Sequence, residues 1–325
     1  MDVVIGNGPL GGAVVRELRA QGRLVRVVED EERRERNEER TTYPPEVPVV
    51  DADLTDPAVT TRVLADASAV FVCPRTTPPV KPTDHVALLE SIVEGAAANG
   101  VPVVLADTLA AYGPSATPFR EDMQPLAVGR WGTAQADAAE GLLAAHAAGR
   151  VSAVVVRTSD LFGPSVRDSP FGDHVFGRLL AGKSALVLGD PDVTHAVTYA
   201  EDAARALVTV ADIPAAHGQV WHAPTAPAVT PREFVELAAA AADTEPKIRQ
   251  LSRWRALLLA PFSRRYRRLR ECWYAYDQPY LVDDRKYATT FGVVATPLED
   301  GIERTVDWYR DGGETTTVAT PPPAE

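Results

Sequence analysis

Val3-Val4-Ile5-Gly6-Asn7-Gly8-Pro9-Leu10-Gly11-Gly12 is the stretch on which the fold turns. A short apolar run is followed at once by glycines, and an amphipathic Ala/Leu/Val segment follows them. Residues without a Cβ let a chain turn sharply and let backbone N–H groups approach a pyrophosphate. The first turn of the next helix adds partial positive charge. A G-x-G-x-x-G pattern alone is weak, but between a strand and a helix in a βαβ unit it points to a dinucleotide. The candidate contacts are Gly6, Asn7, Gly8, Pro9, Leu10 and Gly11.

The same alternation continues outward. Val3–Ile5, Leu24–Val28, Val47–Val50, Ala69–Val72, Val101–Leu105 and Val151–Arg157 are nearly all apolar, as expected of parallel strands covered on both faces. Between them the pattern predicts helices at Leu10–Gln21, Pro57–Asp66, Asp84–Asn99 and Thr133–Ala148. Alternating β and α of this kind predicts an α/β fold, a Rossmann doubly wound parallel sheet. Beyond about Leu161 the pattern is irregular. Gly182–Asp192 reads as a turn-rich strand pair, and Pro231–Ala242 as a helix capped by Thr230. Leu298–Tyr309 reads as a terminal amphipathic helix. Gly312–Glu325, rich in Gly, Thr and Pro, reads as a disordered tail.

Composition narrows the function. A net charge of −12 over 325 residues disfavours nucleic acid as a partner, because phosphate attraction needs basic surface. Cys73 and Cys272 are the only cysteines, too few for a disulfide framework or a cysteine-rich metal site. No apolar run approaches the length of a membrane span, and no leader pattern opens the chain. A cytoplasmic protein without a metal is expected, a monomer or homodimer with a small-molecule substrate.

Two acidic positions fit a dinucleotide. Glu29 ends the second strand about 20 residues beyond the glycines, where a carboxylate holds ribose hydroxyls and favours NAD. Arg33 and Arg34 follow and would grip a 2′-phosphate, although the run from Glu29 to Arg40 also reads as a solvated charged face. NADH and NADPH both remain open. Asp53, in Asp53-Leu54-Thr55-Asp56, closes the third strand where a carboxylate meets the adenine amino group. Asp56, ahead of Pro57, reads as a helix cap.

Taken in order, these elements resemble the extended short-chain dehydrogenase/reductases, the class of NAD-dependent epimerases and dehydratases. The matching stretches are Gly6–Gly12, Asp53–Asp56, Ala110-Ala111-Tyr112-Gly113, Arg157–Pro164, Tyr199–Leu207 and Phe291-Gly292 with Pro297–Ile302. The resemblance implies a dinucleotide-binding domain over 1–163 with 193–222 returning to it. It also implies a smaller substrate lobe from 164–192 and 223–311. It places Cys73, Pro74 and Leu54 beside the cofactor, and Thr158 and Ser159, with Asp160 next to them, near the nicotinamide.

One departure shapes the functional reading. The family uses a Ser or Thr after the fifth strand and a Tyr-x-x-x-Lys pair on the next helix. Thr108 falls on the first position, but the pair falls on Trp131 and Gln135. The usual proton relay is therefore missing. A positioned acid contributes roughly 10²–10⁴ in rate, so a substrate that supplies its own hydrogen bond is expected. That predicts NAD(P)H-dependent reduction of a bulky aromatic, polyketide-like ketone, as in the tailoring ketoreductases of aromatic polyketides that the chain also resembles. Nucleotide-sugar epimerisation or dehydration is the alternative, and a non-catalytic dinucleotide sensor is another. Thr108 and Tyr112 are the candidate hydrogen-bond donors to the carbonyl. Trp131 and His195 are candidate substrate contacts. Arg253–Arg270, with seven arginines among apolar residues, reads as an amphipathic lid.

Overall fold

The structure is a computed structural model that describes residues 1–6, 8–30, 43–44, 46–74, 82–261 and 264–313. Asn7, Arg33, Arg34 and the tail from residue 314 onward lie outside these.

Seven parallel strands form the central sheet: β1 (Asp2–Ile5), β2 (Val25–Asp30), β3 (Val49–Ala52), β4 (Val70–Val72), β5 (Val103–Thr108), β6 (Ala153–Thr158) and β10 (Val220–His222). Their order is β10-β6-β5-β4-β1-β2-β3. The chain winds outward to β3, returns past β1, and continues through β4 in the other direction. The reversal between β1 and β4 opens a crevice at their carboxyl ends, where ligands of doubly wound sheets bind. Each predicted strand and helix of the first half is present, shifted by at most a few residues.

Period-two alternation divides the strand side chains between two cores. Val4, Val27, Phe71, Val104 and Val154 face the helices Pro9–Ala20 and Ala200–Ala211 through Val14, Leu18, Leu207 and Val210. Val3, Ile5, Val70, Val103 and Val155 face the helices Pro82–Asn99 and Gly129–Ala147 through Leu88, Ile92, Ala139 and Leu142. Each such aliphatic side chain contributes roughly 1.5–3 kcal/mol when fully buried. These two layers cover both faces of the sheet and leave its carboxyl edge free for the crevice.

A third core lies beyond the carboxyl edge, built from Phe162, Phe171, Phe176, Phe234, Leu298, Ile302 and Val306. Here the Gly182–Asp192 expectation is corrected. The segment holds one strand, β8 (Ala185–Leu188), whose parallel partner is the distant β11 (Ile248–Leu251), not a hairpin neighbour. Gly189 turns the chain with φ near 66°, and a Cβ there would come within 2.1 Å of the Tyr276 carbonyl oxygen. The short β7 (Asp160–Phe162) pairs in parallel with β9 (Val197–Tyr199), which bridges the two regions. Thr230 caps the helix Pro231–Ala241 in a reciprocal box with Glu233.

Candidate active site

The glycine loop sits in the crevice between β1 and β4. Gly6 has φ near 111°, and a Cβ on it would lie 2.2 Å from the Cys73 carbonyl oxygen. A Cβ on Gly11 would lie 2.3 Å from the Gly6 carbonyl oxygen. Only glycine fits either position, so backbone alone forms the floor at the start of the helix Pro9–Ala20. Gly8, in extended conformation, precedes that helix, and Pro9 stands in its first turn. A glycine floor at a helix N-terminus has the shape and partial charge that suit a diphosphate.

From this cradle a cavity of about 400 Å³ runs across the carboxyl edge of the sheet. Gly8, Pro9, Leu10, Gly11, Cys73 and Pro74 line one end, and Leu188, Leu269, Tyr274, Tyr276 and Tyr280 the other. Thr108, Trp131, Gln135, Thr158, Ser159 and Asp160 lie along the cavity. Burial pushes the Cys73 thiol up to about 12, so it is an un-ionised wall. Thr158 and Ser159 are buried, with the Ser159 hydroxyl donating to the Ala196 carbonyl at 2.6 Å.

At the adenosine end the expected carboxylates stand outside the cavity lining. Glu29 is buried where β2 leaves the Gly6 turn. The Asp53 carboxylate accepts from the Thr55 amide at 2.9 Å and its hydroxyl at 2.6 Å, which holds it below the usual range. Leu54 is a core residue, 2% exposed, and its side chain contacts the sheet rather than the cavity. Asp56 caps the helix Pro57–Val63 through the Ala58 amide.

The position of the missing relay is built around an amide. Thr108 and Thr158 are register partners on β5 and β6. The Thr108 hydroxyl donates to the Gln135 Oε1 at 3.2 Å and accepts from the Ala110 amide at 3.3 Å. Trp131 stands one turn earlier on the same helix as Gln135, at the cavity edge. A neutral amide cannot lower the proton affinity of a neighbouring hydroxyl as a lysine does, so Thr108 is a hydrogen-bonding group and not an acid.

Two sequence candidates are corrected. Tyr112 is buried away from the cavity, stacked on Phe119 and under the Arg157 guanidinium at 4.3 Å. Its hydroxyl bonds His222 Nε2 at 3.0 Å, and burial pushes it up to about 12. Followed by the tight Gly113 turn, its ring is drawn into the core with the buried Asp107–Arg157 ion pair, 2.8 Å between Oδ2 and Nε. His195 is likewise not part of the lining. It is buried behind the cavity wall, with Nδ1 3.0 Å from the Ala275 carbonyl oxygen and Nε2 3.1 Å from Asp160 Oδ2. What touches the cavity is its partner, Asp160, whose hydrogen bond no local spacing announces.

The arginine-rich segment forms the helices Arg253–Leu259 and Arg264–Glu271. Leu269, Glu271 and Cys272 reach the cavity. The Glu271 carboxylate accepts from the Arg130 amide at 2.9 Å and the Trp131 amide at 3.5 Å, capping the helix Gly129–Ala147. The aromatic wall of Tyr274, Tyr276 and Tyr280 went unread in the sequence; its signal was the density of rings after Trp273. No helix among the described residues is long and apolar enough to cross a membrane, and no group of His, Cys, Asp and Glu among them is arranged to hold a metal ion.

The family described as the NAD dependent epimerase/dehydratase family matches residues 3–222. This chain belongs to that family. Among solved structures the epimerase/dehydratase fold recurs over nearly the whole chain. MoeE5 in complex with UDP-glucuronic acid and NAD is 23% identical, with 96% of this chain and 100% of that one covered at a TM-score of 0.75. A double mutant of the dTDP-glucose 4,6-dehydratase DesIV from Streptomyces venezuelae, with NAD and DAU bound, is 18% identical, with 96% and 97% covered at 0.77. UDP-glucose 4-epimerase from Thermotoga maritima, with UDP-glucose, is 18% identical, with 97% and 100% covered at 0.77. No curated protein matches the sequence. The epimerase/dehydratase match ends at His222, the last residue of β10, so it spans the whole central sheet.

Proposed function

We propose that this chain is an NAD(P)H-dependent oxidoreductase that delivers a hydride to the ketone of a bulky aromatic substrate held in the cavity. The observation that carries the reading is the make-up of that cavity. It joins the glycine cradle to an aromatic and aliphatic wall, with Trp131 and Gln135 where the family keeps its Tyr and Lys. Among the described residues its charged lining side chains are Asp107, Asp160, Asp168 and Glu271, with no Lys or Arg. A nucleotide sugar brings a diphosphate of its own, and among the described residues lining the cavity no Lys or Arg side chain stands ready to bind it. An uncharged ring system needs no such partner.

The residues divide the work. The backbone at Gly6–Gly11 and the helix N-terminus hold the dinucleotide, which when bound supplies the hydride. Trp131, Tyr274 and Tyr276 bury the substrate and exclude water, which strengthens every polar contact inside. Thr108, its hydroxyl proton given to Gln135 and its oxygen accepting from the Ala110 amide, is a fixed part of the cavity wall at the carboxyl end of β5 and does not donate to the ketone. Positioning of this kind is worth several kcal/mol of barrier.

Nucleotide-sugar chemistry is the second reading, and the comparisons favour it. The solved relatives named above are described with UDP-glucose, UDP-glucuronic acid or as a dTDP-glucose dehydratase. Against it, epimerisation begins by removing a proton from an unactivated alcohol, the step for which a Tyr–Lys pair matters most. Incubating the protein with NADH or NADPH and a panel of aromatic polyketide ketones, while following absorbance of the reduced cofactor, decides between them. The proposal expects oxidation of the cofactor. NAD-dependent interconversion of UDP-glucose or dTDP-glucose, with the ketones untouched, would establish the second reading. Tight cofactor binding with no turnover in either panel would make the chain a dinucleotide sensor.

A further inference from the structure

Asp160 and His195 form a pair for which the family resemblance gives no role, Nε2 standing 3.1 Å from Oδ2. The His195 backbone is clamped on both sides. Its amide donates to the Val229 carbonyl at 2.8 Å, and the flanking Ala196 amide to the Tyr280 carbonyl at 2.8 Å. The imidazole stacks between Tyr280 and Tyr276, ring centroids 5.1 and 5.7 Å away, and cannot turn freely. Nδ1 faces the Ala275 carbonyl oxygen, which only accepts, so Nδ1 carries a proton. Nε2 faces Asp160 Oδ2 at 3.1 Å. A neutral ring with its proton on Nδ1 would set the Nε2 lone pair against a carboxylate. The contact is attractive only if a second proton lies between them. The Tyr276 hydroxyl also donates to Oδ2, at 3.2 Å, so this one oxygen meets both the phenol and the imidazole.

This pair meets the cavity through Asp160. Asp160 lines it, with its side chain 27% exposed while that of His195 is 3% exposed. It follows Thr158 by two residues, and Thr158 is the register partner of Thr108. We propose that Asp160 is the proton-transfer residue of this site, with His195 behind it as the positioning residue that stores the proton. The inference rests on the oxidoreductase reading. Hydride from the reduced nicotinamide, with its electron pair, forms the new C–H bond at the carbonyl carbon. The C=O π pair takes a proton from Asp160 and becomes the O–H bond. That proton comes from His195: it passes from Nε2 to the Asp160 carboxylate and from there to the carbonyl oxygen. The pair is left as carboxylate and neutral imidazole, one proton short, and solvent restores it. Ketone, reduced cofactor and one proton thus give alcohol and oxidised cofactor.

The other titratable groups against the pair are Tyr274, Tyr276, Tyr280 and Cys272, and Asp107, Asp168 and Glu271 share the cavity. Burial holds the Tyr276 and Tyr280 phenols well above their ordinary value, so they remain donors across the working range.

The test has two arms, on the full chain with Asp160→Asn and His195→Gln. The first needs no turnover. The chain has six histidines, so imidazole ¹⁵N spectra can be assigned with His195→Gln as the control. The proposal expects protons on both His195 ring nitrogens at pH 7, and Nε2 bare in Asp160→Asn. The second arm is ketone reduction against pH. Asp160→Asn should lower kcat by roughly 10²-fold and remove the alkaline limb, with little change in cofactor affinity. His195→Gln should lower kcat less and move that limb. A bare Nε2 in the wild type, or an Asp160→Asn protein with unchanged kcat and pH profile, overturns the assignment while leaving the oxidoreductase reading in place. Both ring protons present in a wild type that reduces no ketone overturns the oxidoreductase reading, and the role of Asp160 falls with it.

Discussion

His195 and His222 share one feature, an Nδ1 hydrogen bond to a carbonyl oxygen, and differ at Nε2. His222 meets the Tyr112 hydroxyl, which donates to a neutral ring, and burial with the nearby Arg157 charge lowers it to about 4. His195 meets a carboxyl. The same residue type thus serves as a fixed core acceptor in one place and a proton store in the other. The His222 case has a pH consequence. Between its folded value of about 4 and its ordinary 6.5, the unfolded chain binds a proton that the folded chain does not. Its stabilising contribution is complete above 6.5 and is lost as pH falls toward 4, a change of about 3 kcal/mol. Equilibrium unfolding in urea at pH 7, 6, 5 and 4.5 should show a steeper fall for the wild type than for His222→Asn. Equal slopes would mean that the ring is not held neutral.

At the scale of elements, the arginine-rich segment and the helix Gly129–Ala147 meet through the Glu271 carboxylate. Glu271 supplies the N-terminal cap that Val128, the residue in the cap position, lacks. Glu271→Ala should cost about 0.5–2 kcal/mol in denaturant unfolding. Hydrogen exchange at the Arg130 and Trp131 amides should quicken with it, since both donate to that carboxylate. The alternation of β and α was readable because strands covered on both faces are continuous apolar runs, and helices such as Pro9–Ala20 repeat every 3.6 residues. The β8–β11 pair was not readable. Parallel partners far apart in the chain share no turn and leave no local pattern. The cradle at Gly6–Gly11 and the loss of the Tyr–Lys pair were legible because each rests on residue type at a fixed place in one motif. The Asp160–His195 contact depends on β7 meeting β9, a long-range pairing, and Tyr112 misled because its turn sends the ring inward rather than toward the crevice.

For the whole molecule, the crevice couples cofactor and stability. A ligand that binds only the folded chain adds about 2.7 kcal/mol at a concentration of 100 Kd. Gly11→Ala puts a methyl 2.3 Å from the Gly6 carbonyl oxygen, and the helix must move away. Thermal unfolding should show the variant destabilised by about 1–3 kcal/mol without ligand. Adding NAD or NADH should raise the melting temperature of the wild type and leave that of the variant unmoved. A variant that still gains as much as the wild type would mean that the diphosphate lies elsewhere.

The outer strand of the sheet, β10, comes from a part of the chain that follows the Phe162–Phe176 region, and its pairing with β6 is sealed from still further on. The Lys286 ammonium donates to the Val220 carbonyl at 2.7 Å, and Tyr287 packs into the same core. A ribosome delivers these residues after strands β1 to β6. Until then β6 has an unsatisfied flank, the kind of edge that recruits other chains. Protein shortened before residue 220 should accumulate as aggregate in the cell, and slowing translation across 160–220 should lower soluble yield even though no residue of the finished molecule has changed.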